Sequence, residues 1–143
     1  MNPPTKPTRS VVIEKRFAHA PEKLWRALTE PALLTQWLLR NNFLLEVGRE
    51  FEFRNEPAGG WDGVIECKVL AIEPLQRLTY SWRAFGLEST VEFTLTSAEG
   101  GTHLRMEHSG FPADREAAYQ GAQHGWQMFL GNLERLLDEE EVR

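Results

Sequence analysis

Leu78-Thr79-Tyr80-Ser81-Trp82-Arg83, Val91-Glu92-Phe93-Thr94-Leu95 and Leu104-Arg105-Met106-Glu107-His108 are the runs on which the fold of this chain turns. In each, an apolar or aromatic residue alternates with a polar one. That is the period of a strand with one buried and one wet face. Phe51 and Phe53, set between Glu50, Glu52 and Arg54, repeat the pattern upstream. A further strand is expected from Trp61 to about Ile72, with apolar residues on both phases. Pro57-Ala58-Gly59-Gly60, Glu73-Pro74-Leu75-Gln76 and Glu99-Gly100-Gly101 are turns. Strands joined in succession by tight turns predict an antiparallel meander, wet on one face.

Downstream of the meander the period changes. From about Asp114 to Glu140, Ala118, Gly121, Ala122, Gly125, Trp126, Phe129, Leu130, Leu133, Leu136 and Leu137 recur at steps of three and four. This predicts one long helix with a core-facing stripe. Upstream, Ser10 to Phe17 reads as a first strand. Pro21 then opens a short helix, and Pro31 a second one through about Trp37. A short strand near Leu44 to Val47 completes the expected set. The class is α+β: a curved antiparallel sheet of about six to seven strands around a long C-terminal helix, with two short helices after the first strand.

The chain has 143 residues, a formal net charge of −5 and one cysteine. It suits a single domain over residues 10–140, with a loose tail over residues 1–9. A net negative charge repels the phosphate backbone, so nucleic acid is not an expected partner. No apolar run approaches the roughly 20 residues needed to span a bilayer, and residues 1–9 cannot form the apolar core of a signal peptide. A cytoplasmic location is expected. The four histidines show no zinc-binding spacing, and no cofactor motif is present, so neither metal nor cofactor is expected.

The inner face predicted for the sheet is crowded with rings. Phe51, Phe53, Trp61, Tyr80, Trp82, Phe93 and Phe111 gather there with Ile65 and Met106, Trp37 joins them from the second short helix, and Trp126 and Phe129 come from the long helix. Opposite them the helix presents Gly121 and Gly125. Glycine inside a helix costs about 1 kcal/mol relative to alanine, so a packing or functional reason is expected. Either the sheet approaches the helix closely there or a cavity is left. These residues, Gly121 apart, are the candidate cavity lining, and His108, which shares the strand parity of Leu104 and Met106, joins them. A partly buried histidine bonded to backbone is the plainer reading of His108. Glu66 and Glu107 could act as acids or bases only if a bulge turned them inward; solvated positions on the outer face are expected. Cys67 reads as a small buried hydrophobe. Asp138-Glu139-Glu140-Glu141 sits at the wrong helix end for the macrodipole and is expected to fray.

The run Phe17-Ala18-His19-Ala20-Pro21-Glu22-Lys23-Leu24-Trp25-Arg26-Ala27-Leu28-Thr29-Glu30-Pro31, with Leu34 and Trp37 after it, resembles the opening of the START-like SRPBCC superfamily. More closely, it is similar to the branch named after the activator of heat-shock-protein-90 ATPase homologue. Gly48, Gly63, Glu73-Pro74, Arg77-Leu78, Gly101-Thr102, His108-Ser109-Gly110-Phe111 and Gly125-Trp126 continue the likeness over nearly all of residues 10–140. The resemblance implies a helix-grip fold with an elongated apolar pocket between sheet and C-terminal helix. It implies no particular reaction. The expected partner is a hydrophobic or aromatic small molecule of unspecified identity. The alternatives are an enzyme using His108 and Glu66 on a hydrophobic substrate, and a chaperone-regulating module connected with the stress response. The namesake activator carries a further N-terminal domain that these 143 residues do not include, which weighs against the last. An exposed edge strand could support a homodimer.

Overall fold

The computed structural model describes residues 8–141. Its elements are β1 (Thr8–Phe17), α1 (Pro21–Thr29), α2 (Pro31–Trp37), β2 (Arg40–Asn41), β3 (Glu50–Arg54), β4 (Val64–Glu73), β5 (Arg77–Ala84), β6 (Leu87–Ala98), β7 (Gly101–Pro112) and α3 (Glu116–Glu141). The seven strands form one antiparallel sheet in the order β1-β7-β6-β5-β4-β3-β2. The meander predicted from the alternating runs is therefore continuous from β2 to β7, and β1 closes onto its last strand. α1, α2 and α3 contact one another, and α3 also packs on β1 and β7. Among the described residues no helix is long and apolar enough to cross a membrane.

Several boundaries differ from the sequence reading, each for a local reason. β1 begins at Thr8 rather than Ser10, because a register shift between Arg9 and Ser10 lets Thr8 and Arg9 pair with Pro112 and Phe111. Of the tail expected over residues 1–9, residues 1–7 lie outside the described residues. The strand expected near Leu44 to Val47 is a loop, and the short strand is Arg40–Asn41. Asparagine side chains end its ladder: Asn41 Oδ1 accepts from the Phe43 amide at 3.0 Å and Asn42 Oδ1 from the Glu52 amide at 2.8 Å. Trp61 to Gly63 stand outside β4, and Trp61 instead bridges back to Ala58. β4 carries apolar residues on both phases because Val64 and Leu70 stand on its outer face, Leu70 exposed, and the register shifts between Val69 and Ala71. Ile65, Cys67 and Val69 face inward, and Glu66 lies exposed on the outer face.

The acidic end of α3 is helical in the structure. The helix continues to Glu141, and α1 supplies what the sequence of that end lacks. Lys23 Nζ donates to the Leu137 carbonyl at 2.8 Å, placing a cation at the negative end of the helix dipole. His19 Nε2 meets Asp138 Oδ1 at 2.8 Å. The segment carrying His19 is itself pinned to the sheet, since Thr102 Oγ1 donates to the His19 carbonyl at 2.7 Å.

Gly101, at the start of β7, makes that close approach possible. A Cβ built there would lie 2.1 Å from the Phe17 carbonyl oxygen. Gly131, in the middle of α3, has nothing among the described residues within 4 Å of the equivalent position. Gly101→Ala is expected to destabilise the protein by about 1–3 kcal/mol, the usual cost of overpacking. Gly131→Ala is expected to stabilise it by about 0.5–1 kcal/mol through lost unfolded-state entropy. Thermal melts of the two variants should therefore move in opposite directions from the parent protein.

Candidate functional site

The sheet grips α3 tightly along only half of its length. In the C-terminal half, Leu130, Leu133 and Leu137 are buried, together with Leu24, Leu28, Leu34 and Trp37 from α1 and α2. In the N-terminal half the stripe is Ala118, Gly121, Ala122 and Gly125, too small to reach the sheet. A cleft of about 660 Å³ opens there between α3 and the strands. Ile65, Trp82, Ala84, Leu87, His108 and Phe111 wall it from the sheet side, and Trp126 and Phe129 from the helix. Trp61 and Phe85 come from two turns, and Asp114, Arg115 and Glu116 stand at the start of α3. Two of the helical glycines border this cleft. Among the described residues nothing lies within 4 Å of a Cβ at Gly121, and at Gly125 only Phe129 Cε2 does, at 3.8 Å. No ring of the sheet rests on either glycine.

Of the fourteen candidate residues, the structure brings Trp61, Ile65, Trp82, His108, Phe111, Gly125, Trp126 and Phe129 to this cleft. It places Trp37, Phe51, Phe53, Tyr80, Phe93 and Met106 elsewhere, in the solid part of the core. There the rings pack edge to face: Phe51 on Tyr80 at 5.3 Å and Trp37 on Phe93 at 6.3 Å between centroids. The buried Tyr80 hydroxyl has no partner among the described residues, and desolvation, with Cys67 nearby, pushes its phenol well above the ordinary range. Cys67 is likewise buried and its thiol is pushed up, mainly by burial, so it stays protonated. Strand alternation said which face each side chain takes but not which end of the face stays open. Leu39, Phe85, Leu87 and Met128 also line the cleft and were missed. For Phe85 a signal existed, an aromatic residue directly before Gly86 where a polar turn residue is usual.

Two buried polar side chains, His108 and Ser89, sit in the wall. His108 is buried, not by backbone partners as the plainer reading had it but in a chain of side-chain bonds. Trp126 Nε1–H donates to His108 Nδ1 at 2.9 Å. Because indole is only a donor, Nδ1 must be the bare nitrogen, and the neutral ring carries its proton on Nε2. Nε2–H then donates to Ser89 Oγ at 2.7 Å, and Ser89 Oγ–H to the Trp82 carbonyl at 3.0 Å. Every member is satisfied, and the direction of the chain is fixed from one end. It is also the wrong direction for a serine nucleophile, since the nitrogen facing Ser89 already holds the proton. Burial lowers the His108 pKa to about 3, and a protonated Nδ1 would also face the Trp126 N–H. Glu66 lies exposed and Glu107, on the same outer face, pairs with Arg105 at 2.9 Å; neither meets His108.

At the opposite end of the sheet a second, polar hollow of about 570 Å³ lies between Pro21, Glu22, the Glu73–Arg77 turn and Thr94–Ser97. Its one cation, Arg77, is held by Glu73 at 2.5 Å and Glu92 at 3.1 Å.

The His108 network fixes a dependence on acidity. The unfolded chain binds a proton at His108 near the ordinary value of about 6.5, whereas the folded protein resists until about 3. Below pH 6.5 this group therefore favours unfolding by about 1.4 kcal/mol per pH unit until the folded value is reached. Denaturant unfolding of the parent and of His108→Gln between pH 7 and 4 should show a shallower loss in the variant by about that slope.

A model of the family described as Activator of Hsp90 ATPase homolog 1-like protein matches residues 18–138. No curated protein matches the chain. Among solved structures it is similar to protein MLL2253 from Mesorhizobium loti, with 48% identity over 92% of this chain and 98% of that one and a TM-score of 0.84. It is similar at 28% identity to CalU16 from Micromonospora echinospora, over 95% of this chain and 80% of that one, with a TM-score of 0.75. A 24% identical neighbour, DynU16 from the dynemicin biosynthetic locus, shares the fold at a TM-score of 0.77 over 90% of this chain and 47% of its own. With the sheet order, the gripped helix and a match that spans most of the sequence, this chain belongs to the Activator of Hsp90 ATPase homolog 1-like family.

Proposed function

We propose that this protein holds a small hydrophobic molecule, aromatic in character, in the cleft between its sheet and the N-terminal half of α3. The observation that carries the reading is an opening of about 660 Å³ walled by tryptophan and phenylalanine rings, beside two helical glycines on which no ring of the sheet rests. That volume falls within the roughly 300–1,000 Å³ of small-molecule sites, which are mostly apolar with few polar groups. His108 and Ser89 spend their hydrogen-bonding capacity on Trp126 and Trp82. A ligand's inner end therefore gains from leaving water rather than from new hydrogen bonds, at about 25 cal/mol per Å² of apolar surface buried.

Native mass spectrometry of the purified protein should reveal a bound small molecule or an empty chain that takes up 1-aminoanthracene, a fluorescent apolar probe. Gly125→Leu supplies the decisive variant, because its side chain would enter the cleft. Leucine is a better helix former than glycine by roughly 0.8–1 kcal/mol, so stability should hold or rise. Probe affinity should fall at least tenfold. A variant that melts lower and binds the probe as the parent does would sink the reading.

A further inference from the structure

The mouth of the cleft breaks a local rule. Ala84 pairs with Leu87, so Phe85 and Gly86 form a two-residue hairpin turn. Their φ angles are +56° and +72°, both left-handed. Asn-Gly is the preferred pair for such a turn, and a bulky residue at positive φ is an outlier. Burial does not account for Phe85 either, since it is 62% exposed. A strained backbone and an exposed ring at one position point to a use outside the fold's own stability.

The ring has a defined place. It lies on Trp61, with centroids 4.4 Å apart and planes tilted by 34°. Among the described rings that line the cleft, this is the pair closest to parallel; the deeper pairs, such as Trp82 with Trp126 and Trp126 with Phe129, meet at 53° and 77°. Trp61 Nε1–H donates to the Val64 carbonyl at 3.3 Å, and Arg115 Nη2 donates to the Phe85 carbonyl at 3.0 Å, tying the turn to the start of α3. Two turns, each fastened by its own bond, thus hold this stacked pair at the lining of the cleft.

We propose that Phe85 and Trp61 are ligand-contacting rings that stack on a flat aromatic molecule as it lies in the mouth of the cleft, and that Phe85 determines the preference for flat over alicyclic ligands. This rests on the reading of the cleft as a ligand site. An alicyclic molecule of similar size gains burial in the cleft but no stacking on the pair.

The test compares 1-aminoanthracene, read by its fluorescence, with cyclododecanol, read by displacement of that probe. Phe85→Asn places the preferred residue in the turn and leaves the Arg115 bond, which goes to backbone, in place. Its melting temperature should equal or exceed that of the parent, while its affinity for 1-aminoanthracene falls roughly three- to tenfold and its affinity for cyclododecanol stays within about twofold. Phe85→Tyr, which keeps the ring, should bind both probes as the parent does. Unchanged 1-aminoanthracene binding in Phe85→Asn, when Gly125→Leu weakens it, overturns the role of Phe85 and leaves the cleft reading standing. An equal loss for both probes overturns the selection for flatness. If the parent protein binds neither probe, the cleft reading and this inference fail together.

Discussion

The contact between Trp126 and the sheet is the one on which the rest of the arrangement depends. Its ring lies 5.5 Å from Trp82 and 5.8 Å from Phe93, joining helix to strands at the point where packing changes character. Toward the C-terminus the helix is seated on leucines and on α1 and α2. Toward the N-terminus it is held off the sheet. The indole N–H reaches across that boundary to His108, so the same residue supplies the apolar floor of the cleft and fixes the tautomer of its one buried base. A phenylalanine could fill the space but would leave Nδ1 as an unsatisfied buried acceptor, at a cost of about 1–3 kcal/mol.

How much of this was legible follows from what periodicity can and cannot encode. Alternation in β5, β6 and β7 told which side chains face the helix, and the three-four spacing after Asp114 told which face of the helix answers. Tyr80 and Trp82 illustrate the limit: they share a strand and a face, yet Tyr80 is buried among Phe43, Phe51, Phe53 and Phe93 while Trp82 lines open space. The difference is made by distance along the sheet from α1 and α2, which no two-residue period records. The Leu44 to Val47 segment shows a different limit. Its apolar residues suggested a strand, but the asparagines before it bond to backbone amides that the ladder would otherwise use. The buried His108 chain was hidden for a third reason. Ser89, His108 and Trp126 are distant in sequence and meet only through the register of β6 against β7 and the seating of α3.

The end of α3 shows how one element's defect is corrected by another. An acidic run at a helix C-terminus lacks the cation that would complement the carbonyls there. Lys23 of α1 provides it from outside, and His19, just before α1, engages Asp138. The approach of these groups depends on Gly101, where any side chain would strike the Phe17 carbonyl, and on the bond from Thr102 that follows it. The turn between β6 and β7 is thus part of the helix's cap, though it lies far from it in sequence.

This division of α3 also explains how the fold tolerates an open cleft at all. Two glycines in the helix weaken it by about 1 kcal/mol each relative to alanine, and the cleft they border leaves apolar surface unburied. The leucines of the other half each contribute about 1.5–3 kcal/mol by burial, and they are clamped at the far end by α1. Stability is concentrated where the helix is seated, so the unseated half can keep small side chains facing a hollow. The strained turn at Phe85 belongs to the same economy of position. It stands at the open end, where its cost is local and where an exposed flat ring has something to face.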